Sequence, residues 1–511
     1  MAIKQKVSAK SFSWHRTLGL IGGIGLLIWG VSGLLHPVMV VFGPQPAVFY
    51  PPSRPLDLQG IKPIHEIVAD AGIASAAAVK IIVSEDQNLL QVTETQDEPR
   101  RYFELDSGRE LVDYDQDHAV FLARHFLKTD ADIRSVQYLT GFNSDYPAVN
   151  RLLPVYKVSF ERDDDLSIYI YTETNAANGV SNAFKETVQT GFSSLHTWNW
   201  FPKEADWARV VLIALFVGSL FALAATGAAM LITIRRKKRL PGSHGWHRIA
   251  GYVLALPLLM FTSSGLFHLI QMASMTPQRN LQLSPPVDLT VATFPLHEQW
   301  ADISKGLNVN NLSLIQDEQG RYLYRLGLAP NRKGGPKTEN EIRNARFDGV
   351  ETTGPARYID ARTGAAHKDG DMELAYQLGE RFTGVGRDAV ENIQLVTRFG
   401  PGYDFRNKRL PVWQLDYGTP VNATIFVDTT TGVLADRVMD SAKLERLSFS
   451  FIHKWNFLFP LGREALNGIV SVFVFGLVVF SGIIGLRLDW KRRAQKKKRR
   501  DKRKTAPVPA E

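Results

Sequence analysis

Four apolar runs, each long enough to cross a bilayer, set the limits on what this chain can fold into. A crossing takes about 20 apolar residues, and such runs occupy 17–43, 207–234, 249–274 and 464–488. The stretches between them, 44–206 and 275–463, have ordinary globular composition. The sequence therefore predicts an α+β membrane protein, a four-helix transmembrane bundle carrying two soluble segments. The first run has the basic start of a signal peptide, but it is long, rich in glycine and ends in Pro37. It reads as a retained span.

The net charge of +9 is concentrated in three places: the N-terminal 1–16, the 235–248 loop with Arg235–Arg239, and the 489–511 tail with eleven Lys and Arg between Lys491 and Lys504. Basic runs can bind nucleic acid, but each of these abuts an apolar run, so no nucleic-acid partner is expected and membrane topology is the better explanation. Positive charge stays on the cytoplasmic side. Both termini are then cytoplasmic and the two soluble segments extracytoplasmic, periplasmic if the cell is bacterial. The chain has no cysteine, which excludes disulfides, thiolate-held iron–sulfur clusters and cysteine nucleophiles.

The sequence also repeats itself. Trp14-His15-Arg16 opens the first span and Ser32-Gly33-Leu34-Leu35-His36 closes it; Trp246-His247-Arg248 and Ser264-Gly265-Leu266-Phe267-His268 do the same for the third, at an offset of 232. His196-Thr197-Trp198-Asn199 answers to His453-Lys454-Trp455-Asn456 at an offset of 257, as Leu153–Tyr156 does to Leu410–Trp413. The change in offset predicts an insertion of about 25 residues in the second soluble segment, most simply at Asn331–Asn344. Each unit is span, soluble segment, span. Two units in one orientation imply a pseudo-twofold axis along the membrane normal.

In the soluble segments, alternation predicts strands at Tyr156–Phe160, Leu166–Tyr171, Trp413–Tyr417 and Thr424–Asp428. Amphipathic helices are expected at Ile64–Ala71, His118–Phe126 and Glu373–Phe382, and turns at Asn175–Gly179 and Thr429–Gly432. No phosphate loop, dinucleotide fingerprint or nucleophile elbow is present. Asp163-Asp164-Asp165 reads as a solvated hairpin tip rather than a cation site.

Six of the twelve histidines fall at matching places in the two units: His15, His36, His196, His247, His268 and His453. A histidine in or beside a span is costly unless it is paired or ligating. His15 and His36 lie ~31 Å apart along a helix and on one side of it, and His247 and His268 repeat this. The bundle thus offers two histidines at one end and four at the other. Haem is the cofactor that best uses opposed histidines between helices. A zinc or copper ion at the four-histidine end is the alternative. Singly, His15 or His247 is as easily an interfacial hydrogen-bonding residue, and His196 or His453 a structural clasp. The span-one glycines leave room for a flat ring but equally serve close helix packing. His65, His118, His125, His244, His297 and His367 have no paired pattern and read as surface or packing residues.

Trp-His-Arg leading into a span, Ser-Gly-Leu near its end, a histidine ahead of the next span and the basic stop Trp490-Lys491-Arg492-Arg493 together resemble the PepSY-associated transmembrane family. The resemblance covers nearly the whole chain and implies that the soluble segments are PepSY-like modules. It also implies a bacterial inner-membrane protein linked to iron uptake, similar to ferric-siderophore reductases with two b-type haems. In that reading His15, His247, His196 and His453 are haem ligands, with His36 and His268 as further candidates and the axial pairs open. The dyad suggests His15 with His247 and His36 with His268. The partners implied are a cytoplasmic flavin- or NAD(P)H-dependent donor and a ferric siderophore or other periplasmic acceptor. A non-catalytic, membrane-anchored PepSY regulator is the alternative. A transporter is disfavoured, because no acidic residue lies deep in a span and no span is clearly broken.

Overall fold

The computed structural model describes residues 2–57, 60–234, 241–274, 282–295, 303–304, 306–328, 347–350, 356–368 and 370–504. The chain forms two compact units. One comprises Met1–Gly43, Phe184–Pro277 and Ser441–Glu511; the other comprises Pro44–Ala183 and Gln278–Asp440.

The first unit contains four helices long and apolar enough to cross a membrane. Span one is Ala2–Phe42, span two Asp206–Thr233 and span three Gly242–Ser274. Span four runs from Arg463 to Lys504 as Arg463–Gly476, a π-helical stretch Leu477–Ile483, and Ile484–Lys504. The helices overrun the apolar runs at the end that holds both termini, because Lys, Arg and Gln propagate a helix as well as leucine does. The loop cluster Arg235–Arg239 lies outside the described residues. Span four changes its hydrogen-bonding pattern at this π stretch without breaking, and such stretches recur at functional sites.

The glycines of span one have a packing role. A Cβ at Gly22 would meet Leu223 Cδ2 at 2.8 Å, at Gly23 Leu486 Cδ2 at 2.6 Å, and at Gly30 Val478 Cγ2 at 2.6 Å, whereas at Gly33 it would meet nothing within 4 Å. Gly30→Ala is therefore expected to cost about 1–3 kcal/mol through overpacking, and Gly33→Ala to be tolerated. Thermal melting of the two variants in detergent checks the contrast.

The second unit has antiparallel sheets. Its strands are β1 Ser75–Ala76, β2 Ala78–Ser84, β3 Gln87–Thr93, β4 Arg101–Glu104, β5 Glu110–Leu111, β6 Ile133–Leu139, β7 Val155–Phe160, β8 Ser167–Tyr171 and β9 Ala176–Ser181. The second half supplies β10 Val287–Asp288, β11 Val309–Gln316, β12 Tyr322–Leu328, β13 Arg357–Asp360, β14 Ala366–His367, β15 Val390–Val396, β16 Val412–Tyr417, β17 Ala423–Asp428 and β18 Val433–Met439. Each half has a four-stranded meander, β6-β7-β8-β9 and β15-β16-β17-β18. Helix Tyr114–Leu127 packs on the first through Leu122, Ala123 and Phe126, and helix Asp371–Thr383 on the second through Leu374, Ala375 and Leu378. The remaining strands of both halves join into one eight-stranded sheet, β14-β13-β12-β11-β2-β3-β4-β5. At its centre Lys80 pairs with Ser313, nearly the duplication offset, so the pseudo-dyad passes through the β2–β11 pair and makes it an isologous contact.

Two local expectations are corrected. Only Asn175 of Asn175–Gly179 is a turn, in the left-handed region; Ala176–Ser181 is the edge strand β9, which bulges opposite Tyr169 and Ile170. The helix expected at Ile64–Ala71 is one turn, Ile64–Ile67. The insertion site at Asn331–Asn344 lies outside the described residues, but the elements bracket it. β3 and β12 start 235 residues apart, and β4 and β13 start 256 apart.

Candidate functional site

The duplicated Trp-His-Arg motifs bring His15 and His247 together at the terminal end of the bundle, with imidazole centroids 6.2 Å apart and planes inclined at 54°. Each ring is oriented by a backbone carbonyl of a neighbouring span. His15 Nδ1 donates to Leu223 O at 3.0 Å and His247 Nδ1 to Phe480 O at 3.0 Å. A carbonyl only accepts, so the proton sits on Nδ1 and the Nε2 lone pair is free. Phe480 lies in the π stretch, where the altered ladder releases carbonyls from their usual partners. Glycines back both rings: a Cβ at Gly227 would lie 3.2 Å from His15 Cε1, and one at Gly485 3.5 Å from His247 Cε1.

This arrangement fits haem. Two imidazoles bound through nitrogen on opposite sides of one metal, at about 2 Å each, have centroids about 6 Å apart, and the 6.2 Å observed matches. Nδ1–H donation to a carbonyl is the outer contact that fixes a ligating histidine.

His196 and His453 sit on π turns, Ser193–Thr197 and Phe449–His453, at the opposite end of the bundle. His196 Nδ1 lies 2.9 Å from Ser32 Oγ and His453 Nδ1 3.1 Å from Ser264 Oγ. Their rings stack on Phe192 at 4.7 Å and Phe449 at 4.8 Å. A Cβ at Gly265 would lie 3.4 Å from His453 Cε1, the same backing seen at the other end. Burial holds His196 down to about 4, with His36 adding to the effect. Burial, then His196 and His268, hold His453 down to about 3. Both imidazoles are neutral and so able to ligate. Trp198 and Trp455 follow the two turns in the left-handed region, at φ 53° and 56°. They are clamped there against Trp29 at 5.5 Å and Phe261 at 5.3 Å. Strained backbone held this way concentrates at functional sites.

His36 and His268 share that end but are not placed alike. His268 stacks on Phe449 at 3.9 Å, on the face opposite His453, so the phenyl ring separates the two histidines. Its Nδ1 is 2.5 Å from Glu445 Oε1, and the position 257 residues before Glu445 is Val188. His36 stands 5.9 Å from Phe192. The structure thus brings His15 and His247 into one pair and groups His36, His196, His268 and His453 at the other end. Among the described residues, no three His, Asp or Glu side chains converge as ligands for a bare metal ion, which removes the support for a zinc or copper centre there.

The unpaired histidines have packing partners. His118 is buried between Ser84 Oγ at 2.7 Å and Asn175 Oδ1 at 2.9 Å, and burial lowers it to about 4. His125 meets Tyr50 O at 3.1 Å and His65 meets Ala292 O at 3.2 Å. His297 lies outside the described residues. Asp165 is exposed and Asp164 half-buried, and they pair with Arg134 at 2.5 Å and Arg162 at 2.8 Å. Sequence reasoning missed Phe192 and Phe449, the partition between histidines, although they too recur at 257.

No protein-family model matches the chain, and no curated protein matches it. Fold and site define a multi-pass membrane protein with four candidate spans and histidines grouped at the two ends of the bundle.

Proposed function

We propose that this is a haem-containing inner-membrane reductase of the PepSY-associated transmembrane type. It carries electrons from a cytoplasmic flavin- or NAD(P)H-dependent donor to a periplasmic acceptor, a ferric siderophore in the first instance. The observation that carries the reading is the His15–His247 pair, two imidazoles 6.2 Å apart between centroids, each held through Nδ1 by a backbone carbonyl so that Nε2 is left as the ligating atom. His196 and His453 are the preferred second pair. They repeat the held Nδ1, and for His453 the glycine backing, whereas His268 is engaged by Glu445. Haem bound at the two ends would supply one-electron Fe(III)/Fe(II) couples.

The chain's own residues then have defined tasks. The carbonyls of Leu223 and Phe480 fix tautomer and ring orientation for His15 and His247, and the hydroxyls of Ser32 and Ser264 hold the rings of His196 and His453 in place. His196 lies beside Ser32 rather than His36, which shortens the rise between the two ends from ~31 Å to ~25 Å along span one. The basic flanks support a cytoplasmic His15–His247 end, with the soluble unit on the side of the ferric substrate in this reading. Reduction weakens iron's hold on hard oxygen ligands and releases it.

Absorption spectra of the detergent-extracted protein, oxidised and dithionite-reduced, test the proposal. A Soret band with sharp α and β bands on reduction, discharged by an Fe(III) hydroxamate, is the expected result. A spectrum with no band beyond the aromatic region rejects it.

A further inference from the structure

Between the two histidine levels, the interior of the bundle is closed by Leu26, Leu220, Ala224, Leu254, Leu258 and Leu477, all buried. Four of these leucines are duplication pairs, Leu26 with Leu258 at 232 and Leu220 with Leu477 at 257, so the belt lies across the pseudo-dyad. Residues 17–35, 210–233, 249–267 and 465–486 contain no Asp, Glu, Lys, Arg or His. Ser219, Thr226, Thr262 and Ser264 donate back to Phe216 O, Ala222 O, Leu258 O and Met260 O of their own helices at 2.6–2.7 Å, and the further side-chain contacts of Thr226 and Ser264 go to His15 and His453 at the two histidine levels. A buried water needs two to four polar partners, and the belt offers none.

From this we infer that the bundle conducts electrons but not protons, so that each electron crossing it is an uncompensated charge driven by the membrane potential. The inference rests on the reductase reading above. The donor is a reduced flavin or nicotinamide and the acceptor an Fe(III) chelate. Two electrons leave the donor, which becomes its oxidised form and releases its proton on the cytoplasmic side; they cross singly, and two Fe(III) become two Fe(II) on the other side. No bond forms or breaks within the leucine belt. With the cytoplasm negative, the outward electron runs down the field.

The test uses the full-length protein in liposomes, with valinomycin and a potassium gradient setting the voltage. A membrane-impermeant redox buffer poises one face, while absorbance reports the reduced-to-oxidised ratio of the centre on the other. That ratio is expected to change tenfold for each ~59 mV falling between the two centres. It should reverse when the gradient is reversed and should vanish when potassium is equal. A lumenal pH dye should stay silent. A ratio indifferent to voltage, or one proton crossing with each electron, overturns the inference while leaving the reductase reading standing. A preparation without haem bands overturns both.

Discussion

Alanine at His15 is expected to remove the same haem absorbance as alanine at His247, and the double variant is expected to remove no more. The two imidazoles lie 6.2 Å apart and come from spans one and three, so the proposed reading makes them one site. Residues that act as a unit are non-additive. Haem content per protein, read by pyridine haemochrome against total protein, should therefore fall by one haem in each single variant and by one in the double. The bands of the second pair should persist. Gly227→Leu supplies an independent route to the same loss. The first atom of its side chain would already press on His15 Cε1 at 3.2 Å, and the rest must displace the ring. Gly218→Leu, on the same span with nothing within 4 Å of its added Cβ, should keep both haems. Losses that add across His15 and His247 would place the two side chains in different sites.

Much of this site was legible because duplication turns one weak motif into two. Trp-His-Arg at His15 alone has an ordinary interfacial explanation; its recurrence at His247 predicted two imidazoles at one end, and that is where they stand. The pairing at the other end was not legible. The dyad relates His36 to His268 as well as it relates His196 to His453, and the structure tells them apart by their partners: His196 and His453 meet Ser32 and Ser264, whereas His268 meets Glu445. That is a matter of packing, which spacing does not encode. Helix register in span four was equally hidden, since nothing in Leu477–Ile483 marks a π stretch, yet the stretch presents Phe480 O to His247. In the soluble segments, alternation located β7, β8, β16 and β17 but said nothing of β2 pairing with β11. Asn175–Gly179 has turn composition, but β8 accepts β9 with a bulge, so tertiary pairing overrode local preference.

Arg409→Met is expected to destabilise the soluble unit by about 3–5 kcal/mol, the usual cost of stripping one partner from a buried ion pair. Arg409 is 3% exposed and Glu173 is 0% exposed. The guanidinium reaches Glu173 Oε1 at 3.2 Å, Asp428 Oδ2 at 2.6 Å and Thr431 Oγ1 at 3.0 Å. Glu173 comes from the first half of the duplication and Arg409 and Asp428 from the second, so the contact ties the two meanders together. Lys80, 3.5 Å from Glu173, and the more distant Arg100 stay behind, but they do not replace the direct bonds that Arg409 makes to both carboxylates. Burial alone would raise Glu173, but Lys80, Arg409 and Arg100 outweigh it and hold the carboxyl down to about 2. A depressed acid contributes stability that is complete above its unfolded value, about 4.3, and is lost as pH falls through the folded value. The native protein should therefore lose stability between about pH 4.3 and pH 2. In Arg409→Met the pull weakens, and acid unfolding should begin at higher pH. Urea denaturation of the full chain in detergent, followed by β-sheet circular dichroism at neutral pH and pH 3, measures both effects. Arg409→Met with Glu173→Gln should recover part of the loss, because the orphaned charge is then gone. A change below about 1 kcal/mol in the single variant, within the range of an exposed ion pair, would mean that water reaches this cluster and that the two meanders are held together by the shared sheet alone.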